Sequence, residues 1–236
     1  MKQPTKWLAA ALIALGLNQA AWAANVPDFR ETLQAAERGD AQAQAMLGLM
    51  YANGRGVRQD YAEAVKWYRQ AAAQGEVEIQ VLLGLMYELG EDGVRQDYAE
   101  AVKWYRQAAA QGHAKAQRSL GMMYYTGRGV RQDYAEAVKW FRQAAAQGDA
   151  DIQVLLGLMY ELGEDGVRQD YAEAVKWYRQ AAAQGHAKAQ SSLGVMYYKG
   201  RGVRQDLALA QEWFGKACQN GDQKGCDNYQ RLKAGY

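Results

Sequence analysis

The sequence predicts an all-α fold: an α/α solenoid (superhelix) of five helix–turn–helix repeats with a single capping helix at each end. A unit of 36 or 37 residues recurs along the chain, with two apolar patterns of helical period separated by glycine-rich turns. With 236 residues, 49% of them apolar, and only two prolines, the chain can bury a continuous core. One leucine marks the first helix of each copy: Leu47, Leu83, Leu120, Leu156 and Leu193.

The first residues are expected to be a signal peptide, residues 1–23. Two lysines precede an apolar run of 11 residues from Trp7 to Leu17, and alanines surround a cleavage point after Ala23. That run is about half of the roughly 20 residues that a membrane-spanning helix needs. The sequence therefore predicts bacterial export, to the periplasm or outside the cell, with no membrane span after signal cleavage.

The repeat spacing sets the boundaries of the remaining segments. Residues 24–39 are predicted to form an N-terminal capping helix with Pro27 at its start, and residues 222–236 a C-terminal capping helix. Such caps cover the two end faces of a repeat stack. The five repeats occupy residues 40–75, 76–112, 113–148, 149–185 and 186–221.

The first helix of the first repeat is predicted to run from Ala41 to Asn53. At 100° per residue, Leu47 shares a core stripe with Ala43, Met50 and Tyr51. Gly54 and Gly56 then end the helix, because glycine adopts positive φ at little steric cost.

The second helix is predicted to begin after Asp60 and to end at Gly75. Asp60 as N-cap and Glu63 three residues later match a capping box. Small residues at Gly48 and Ala64 would let the paired helices approach closely, while Trp67 fills the space beyond them. The apolar face of this helix comprises Tyr61, Ala64, Trp67, Tyr68 and Ala71.

These features together form the pattern A-x-x-x-L-G-x-M-Y…G-x-G-V-x-x-D-Y-x-x-A-x-x-W-Y-x-x-A-A-x-x-G. The pattern resembles Sel1-like repeats, which are related to the tetratricopeptide repeat, and it covers roughly residues 40–221. The resemblance implies a solenoid whose first helices line the concave surface.

Two cysteines, Cys218 and Cys226, lie on either side of the last helix-to-helix turn. An even cysteine count in an exported chain favours a disulfide between them. The spacing is similar to that in the Helicobacter cysteine-rich proteins, secreted Sel1-like chains that repeat the bridge in every unit. Only the last junction carries it in this chain, so activities of that subfamily transfer weakly.

The sequence offers few groups for catalysis. The serines at 119, 191 and 192 lie outside any G-x-S-x-G or S-x-x-K motif. His113 and His186 occupy the same position in repeats about 20 Å apart, too far to share a metal ion. We therefore expect no enzyme activity, no cofactor and no metal. The alternative, implied by the resemblance, is a hydrolase of β-lactam or peptidoglycan-related substrates.

The charge balance excludes one class of partner. The chain has 28 basic and 26 acidic residues, and two of the lysines lie in the predicted signal peptide. A neutral mature chain lacks the positive charge that binding to a phosphate backbone requires. We therefore expect no nucleic acid partner.

The expected partner is a protein or peptide, bound on the first helices. Opposite the core stripe one position stays apolar in every repeat, and it could either pack on the neighbouring repeat or line a groove. Three residues further along each helix, a second row, called the flanking row here, alternates acidic and aromatic residues from the second repeat to the fifth. Arg118 lies beside one of its tyrosines, and Tyr and Arg are frequent binding hot spots. The oligomeric state stays open. The predicted partner-binding residues on the concave face are Arg118, Tyr125, Tyr198, Glu88 and Glu161.

Overall fold

The structure, a computed structural model of the chain, describes residues 28–90, 93–163 and 166–235. Over these ranges the fold is all-α, with twelve helices and no strand. The predicted α/α solenoid is confirmed. The predicted signal peptide and Pro27 lie outside the described residues.

The helices form two compact units that divide after Gln132. In chain order they are α1 (Phe29–Glu37), α2 (Ala41–Asn53), α3 (Tyr61–Ala73), α4 (Val77–Leu89), α5 (Tyr98–Ala110), α6 (Ala114–Thr126), α7 (Tyr134–Ala146), α8 (Ala150–Leu162), α9 (Tyr171–Ala183), α10 (Ala187–Lys199), α11 (Leu207–Gln219) and α12 (Gln223–Lys233). The first unit contains α1 to α6 and the second contains α7 to α12. Even-numbered helices from α2 to α10 are the first helices of the repeats. The capping helix α1 packs on α2, and α12 packs on α11 and α10.

The turn between paired helices depends on glycine at its start. Gly54 ends α2 with φ 65°, and Gly56 follows with φ 69°, as predicted. A Cβ atom on Gly129, in the corresponding turn of the third repeat, would lie 2.2 Å from the carbonyl oxygen of Tyr98. Another residue at that position would therefore collide with backbone as well as strain its own φ.

The predicted capping box forms only in part. Asp60 Oδ1 accepts the backbone N–H of Glu63 at 3.0 Å, as expected. The backbone N–H of Asp60 instead donates to the carbonyl oxygen of Tyr51 at 2.9 Å, because the turn brings the end of α2 to that point. The Glu63 carboxylate pairs with Lys66 on the solvent side of α3. The reciprocal half of the capping box was therefore wrong.

The paired helices meet where an aromatic ring packs on a helical glycine. A Cβ atom at Gly48 would lie 2.7 Å from the ring of Tyr68, and one at Gly84 would lie 2.4 Å from the ring of Tyr105. Tyr68 is fully buried. The sequence predicts that Gly48 allows close approach and that Trp67 fills the space beyond it, but in the structure the ring that packs on Gly48 is that of the neighbouring Tyr68. Trp67 is only half-buried.

Successive helix pairs are joined by a buried glutamine near the start of each first helix. Gln80 on α4 donates to the carbonyl oxygen of Ala72 on α3 at 2.9 Å and accepts from Gln111, after α5, at 2.9 Å. Gln153 makes the corresponding bonds in the second unit, to Ala145 at 2.9 Å and from Gln184 at 2.9 Å. Each such side chain links three consecutive helices, and it satisfies a carbonyl at the end of the preceding helix.

The disulfide fastens the last helix. Cys218 on α11 and Cys226 on α12 are bonded, with their Cα atoms 4.4 Å apart. The bond spans the turn between the two helices, as the sequence suggested. It holds α12, a helix whose only buried residue is Gly225, against the rest of the second unit.

We predict that Gly84→Ala destabilises the protein by about 1–2 kcal/mol. Overpacking against the ring of Tyr105 costs about 1–3 kcal/mol, and the higher helix propensity of alanine recovers part of it. The matched control is Gly215→Ala, also within a helix, where the new Cβ lies 3.3 Å from Tyr229 and nothing closer. Urea unfolding should show loss of stability for the first variant and no loss for the second. Equal effects would contradict the role of the ring contact.

We predict that reducing the disulfide costs about 2.5 kcal/mol by the loop-entropy relation. The loss should be concentrated in α12, so amide exchange of residues 223–233 should accelerate under reducing conditions while exchange in α9 stays unchanged. Thiol labelling of the unreduced protein should find no free cysteine. Two reactive thiols in the unreduced protein would contradict the bond.

Candidate partner-binding face

The apolar position opposite the core stripe lies nine residues after each first-helix N-cap. Leu49 is fully buried, so packing within the stack explains it there. Met122 and Leu158 are 37% and 43% exposed, so packing does not explain those two. The other two members of this row, Leu85 and Val195, are half-buried. In chain order the row is Leu49, Leu85, Met122, Leu158 and Val195.

Both predicted acidic residues of the flanking row hold buried tyrosine hydroxyls. Tyr105 donates to Glu88 Oε2 at 2.7 Å within the first unit, and Tyr178 donates to Glu161 Oε2 at 2.8 Å within the second. Burial raises the pKa of Tyr105 above its usual range, and the Glu88 carboxylate raises it further. The tyrosines therefore stay protonated and donate throughout the neutral range.

The alternation of acid and aromatic along this row therefore has a structural cause. Glu88 and Glu161 occur in repeats whose second helix carries a tyrosine against the helical glycine. In the fifth repeat Phe214 takes that place, and the flanking position is Tyr198. Phenylalanine has no hydroxyl to satisfy, so no acceptor is required there.

Three of the predicted residues are not explained by this pairing. Arg118 and Tyr125 lie on α6 in the first unit, and both are half-buried. Tyr198 lies on α10 in the second unit and is 41% exposed. Of the five predicted residues, Tyr198 thus presents the largest accessible fraction to a partner.

A cavity of about 610 Å³ lies beside Tyr198 in the second unit, between α10 and the last two helices. Its lining combines apolar or aromatic side chains with two cations: Val195, Tyr198, Phe214, Leu232, Lys199 and Arg231. Of these residues, only Tyr198 was predicted from the sequence to bind a partner. The missed signal is the appearance of Lys199 and Arg231 at positions that are uncharged in every other copy.

The histidines act as helix caps. His113 Nδ1 accepts the backbone N–H of Ala116 at 3.3 Å, and its Nε2 lies 3.1 Å from Glu78 Oε1. His186 makes the corresponding contacts with Ala189 and Asp151 in the other unit. Both residues stand where Asp40 caps α2 and Asp149 caps α8.

Two features are absent from the described part of the chain. Within it, no cluster of three or more His, Cys, Asp or Glu side chains could hold a metal ion. Within it as well, every helix is too short or too polar to cross a membrane.

Comparison with known proteins identifies the repeats. The model of the Sel1 repeat matches five times, at residues 41–76, 78–113, 114–149, 150–186 and 187–222. The chain belongs to the Sel1 repeat family. Sel1 repeats are modules for protein–protein interaction.

Solved structures give the same assignment. The chain is 43% identical to a protective antigen present in uropathogenic Escherichia coli strains, with a TM-score of 0.71 over 84% of this chain and 42% of that one. It therefore spans less than half the length of that protein. A Sel1 repeat protein from Oxalobacter formigenes is 36% identical, with a TM-score of 0.61 and coverage of 84% and 86%.

Helicobacter pylori cysteine rich protein B is 24% identical over 58% of this chain and 98% of that one, with a TM-score of 0.43. No curated protein matches the chain.

We predict that Tyr105→Phe and Tyr68→Phe have different effects on stability. Tyr105→Phe removes the hydrogen bond to Glu88 and should cost about 1 kcal/mol. The buried hydroxyl of Tyr68 has no hydrogen-bond partner among the described residues, because its repeat carries Ala52 where the second repeat carries Glu88. Tyr68→Phe should therefore be neutral or stabilising. Urea unfolding of both variants checks this, and an equal loss in both would contradict it.

Proposed function

We propose that this protein is a non-catalytic scaffold that binds a peptide or helix of a partner protein on the face formed by its first helices. Sel1 repeats mediate protein–protein interactions, so a protein partner follows from the family. The choice of the first helices as the binding surface is supported by where accessible apolar side chains lie.

The observation that carries the proposal is the location of exposed large apolar residues. Among the described residues, four of the five such side chains lie on first helices, and the fifth, Leu207, begins α11. Contiguous exposed apolar surface commonly marks an interaction site, and these four side chains share the first helices. The four are Met122, Leu158, Leu162 and Tyr198.

Arg118 and Tyr125 add the residue types that dominate binding energy. Glu88 and Glu161 differ from the other predicted residues because they already have a structural role. Their carboxylates already accept buried hydroxyls, so their first role is to fix the helix pair. A partner could still approach the second oxygen of each carboxylate, since both side chains are half-buried.

The proposed site of action lies outside the cytoplasm. A disulfide joins Cys218 to Cys226, and such bonds persist in oxidising compartments. The similar Escherichia coli protein is a protective antigen, which also supports exposure outside the cytoplasm. The predicted signal peptide supports the same destination, either the periplasm or the cell exterior.

The test is affinity capture from envelope extract with the purified, disulfide-bonded protein, followed by mass spectrometry. The variant Arg118→Ala, Tyr125→Ala, Tyr198→Ala should lose the captured partner while its helical content stays unchanged, since none of the three side chains is fully buried. Its melting is measured to show that it is folded at the temperature of capture. A matched control truncates three exposed side chains on second helices, Lys66→Ala, Lys103→Ala and Lys176→Ala, and should retain capture. Retained capture by the first variant would reject the proposed face.

The enzymatic alternative is tested on the same preparation. Nitrocefin turnover by the purified, metal-treated protein, with a measurable kcat, would favour a β-lactam hydrolase over a scaffold. The proposal expects no turnover above that of the buffer.

A further inference from the structure

We propose that the cavity between α10 and α12 takes an acidic segment of the partner. One apolar side chain of that segment would enter the cavity, and carboxylates on neighbouring residues would pair with Lys199 and Arg231. This inference rests on the proposed function, and it specifies the chemistry of the partner at one end of the second unit.

The interior of the cavity suits an apolar side chain. Phe214 is 2% exposed and packs against Gly194, so its ring has a fixed position. Val195 and Leu232 are half-buried on facing helices, and Tyr198 is exposed beside them. A volume of about 610 Å³ falls within the usual range for ligand pockets, and side chains of this kind are their usual lining.

The positive charge of the lining favours acidic residues next to the apolar side chain of the bound segment. Lys199 and Arg231 are both exposed, and neither forms an ion pair with another described residue. The other polar side-chain groups of the lining are the amide of Asn228 and the hydroxyl of Tyr198, and both are uncharged. Four other surface cavities of the described chain each carry at least one carboxylate, whereas this lining carries none.

Both cations are particular to this end of the chain. Counted from the first-helix N-cap, the thirteenth position is Lys199 in the fifth repeat and an uncharged residue in the other four: Asn53, Leu89, Thr126 and Leu162.

Arg231 stands nine residues after the N-cap of α12, at the position that is apolar in all five repeats. The residues that line the cavity thus carry positive charge at positions that are uncharged in the other repeats. Lys199 replaces an uncharged residue and Arg231 replaces an apolar one, so the cavity has a basic edge, which complements an acidic segment.

The experiment selects ligands without assuming a sequence. The disulfide-bonded protein is used to select from a display library of random short peptides, and enriched peptides are synthesised and titrated by fluorescence anisotropy. The expected result is enrichment of peptides with an aromatic or aliphatic residue next to Asp or Glu. Their affinity should fall by about tenfold in Lys199→Glu, Arg231→Glu and should weaken as salt is raised.

The matched control reverses one exposed lysine on each of the same two helices outside the cavity, Lys188→Glu and Lys224→Glu. Net charge then changes by the same amount, so retained binding in the control isolates the local effect. Circular dichroism and thiol labelling confirm that both variants are folded and bridged.

Several results would overturn the inference. They are enrichment without acidic residues, equal weakening in both variants, or no enriched peptide at all. Self-association of the protein that Lys199→Glu abolishes would show a second copy as the occupant instead. If envelope capture still depends on Arg118 and Tyr125 in any of these cases, the proposed function stands and only the inference about the cavity is lost.

Discussion

The contact between a helical glycine and an aromatic ring is the constraint on which the helix pairs of four repeats depend. In four repeats the structure places the ring so close to the glycine that a Cβ atom there would lie 2.4 to 2.7 Å from a ring carbon. Interiors packed at crystalline density leave no room for such an atom without movement of the ring or the helix. The pairing of Gly84 with Tyr105, or of Gly194 with Phe214, therefore sets how closely the two helices of a repeat approach.

The aromatic residue in that contact also affects which side chain is needed at the flanking position of the first helix. A tyrosine ring placed against the glycine carries a hydroxyl to the first helix, where a buried donor needs an acceptor. Glu88 and Glu161 supply it, and both thereby become part of the core as well as of the face. In the fifth repeat Phe214 replaces the tyrosine, and the flanking position is occupied by Tyr198, which is exposed and lines a cavity. In the second, fourth and fifth repeats the residue at the flanking position thus matches the aromatic residue in the core, whereas the first repeat combines Tyr68 with Ala52 and leaves its hydroxyl without an acceptor among the described residues.

Buried glutamines connect one pair of helices to the next within each unit. Gln80 and Gln153 each donate to the helix before and accept from the helix after, so the polar bonds cross the boundaries between repeats. A repeat stack is stabilised largely by contacts between neighbours, and its last member lacks one neighbour. The disulfide between Cys218 and Cys226 compensates for this at α12.

The sequence by itself determined the repeat, the helix limits, the capping helices and the cysteine pair, because period, glycine position and N-cap residues are local properties. Only the tertiary structure decided which side chain fills each helix pair, why acids alternate with tyrosines, and where apolar residues stay exposed. Periodicity indicates that Trp67 and Tyr68 both face the partner helix, but not which ring meets Gly48. It also places Leu49 and Leu158 at one helical position, although one is buried and the other exposed. Burial is a property of the neighbours that the fold supplies, and five nearly identical units differ in those neighbours.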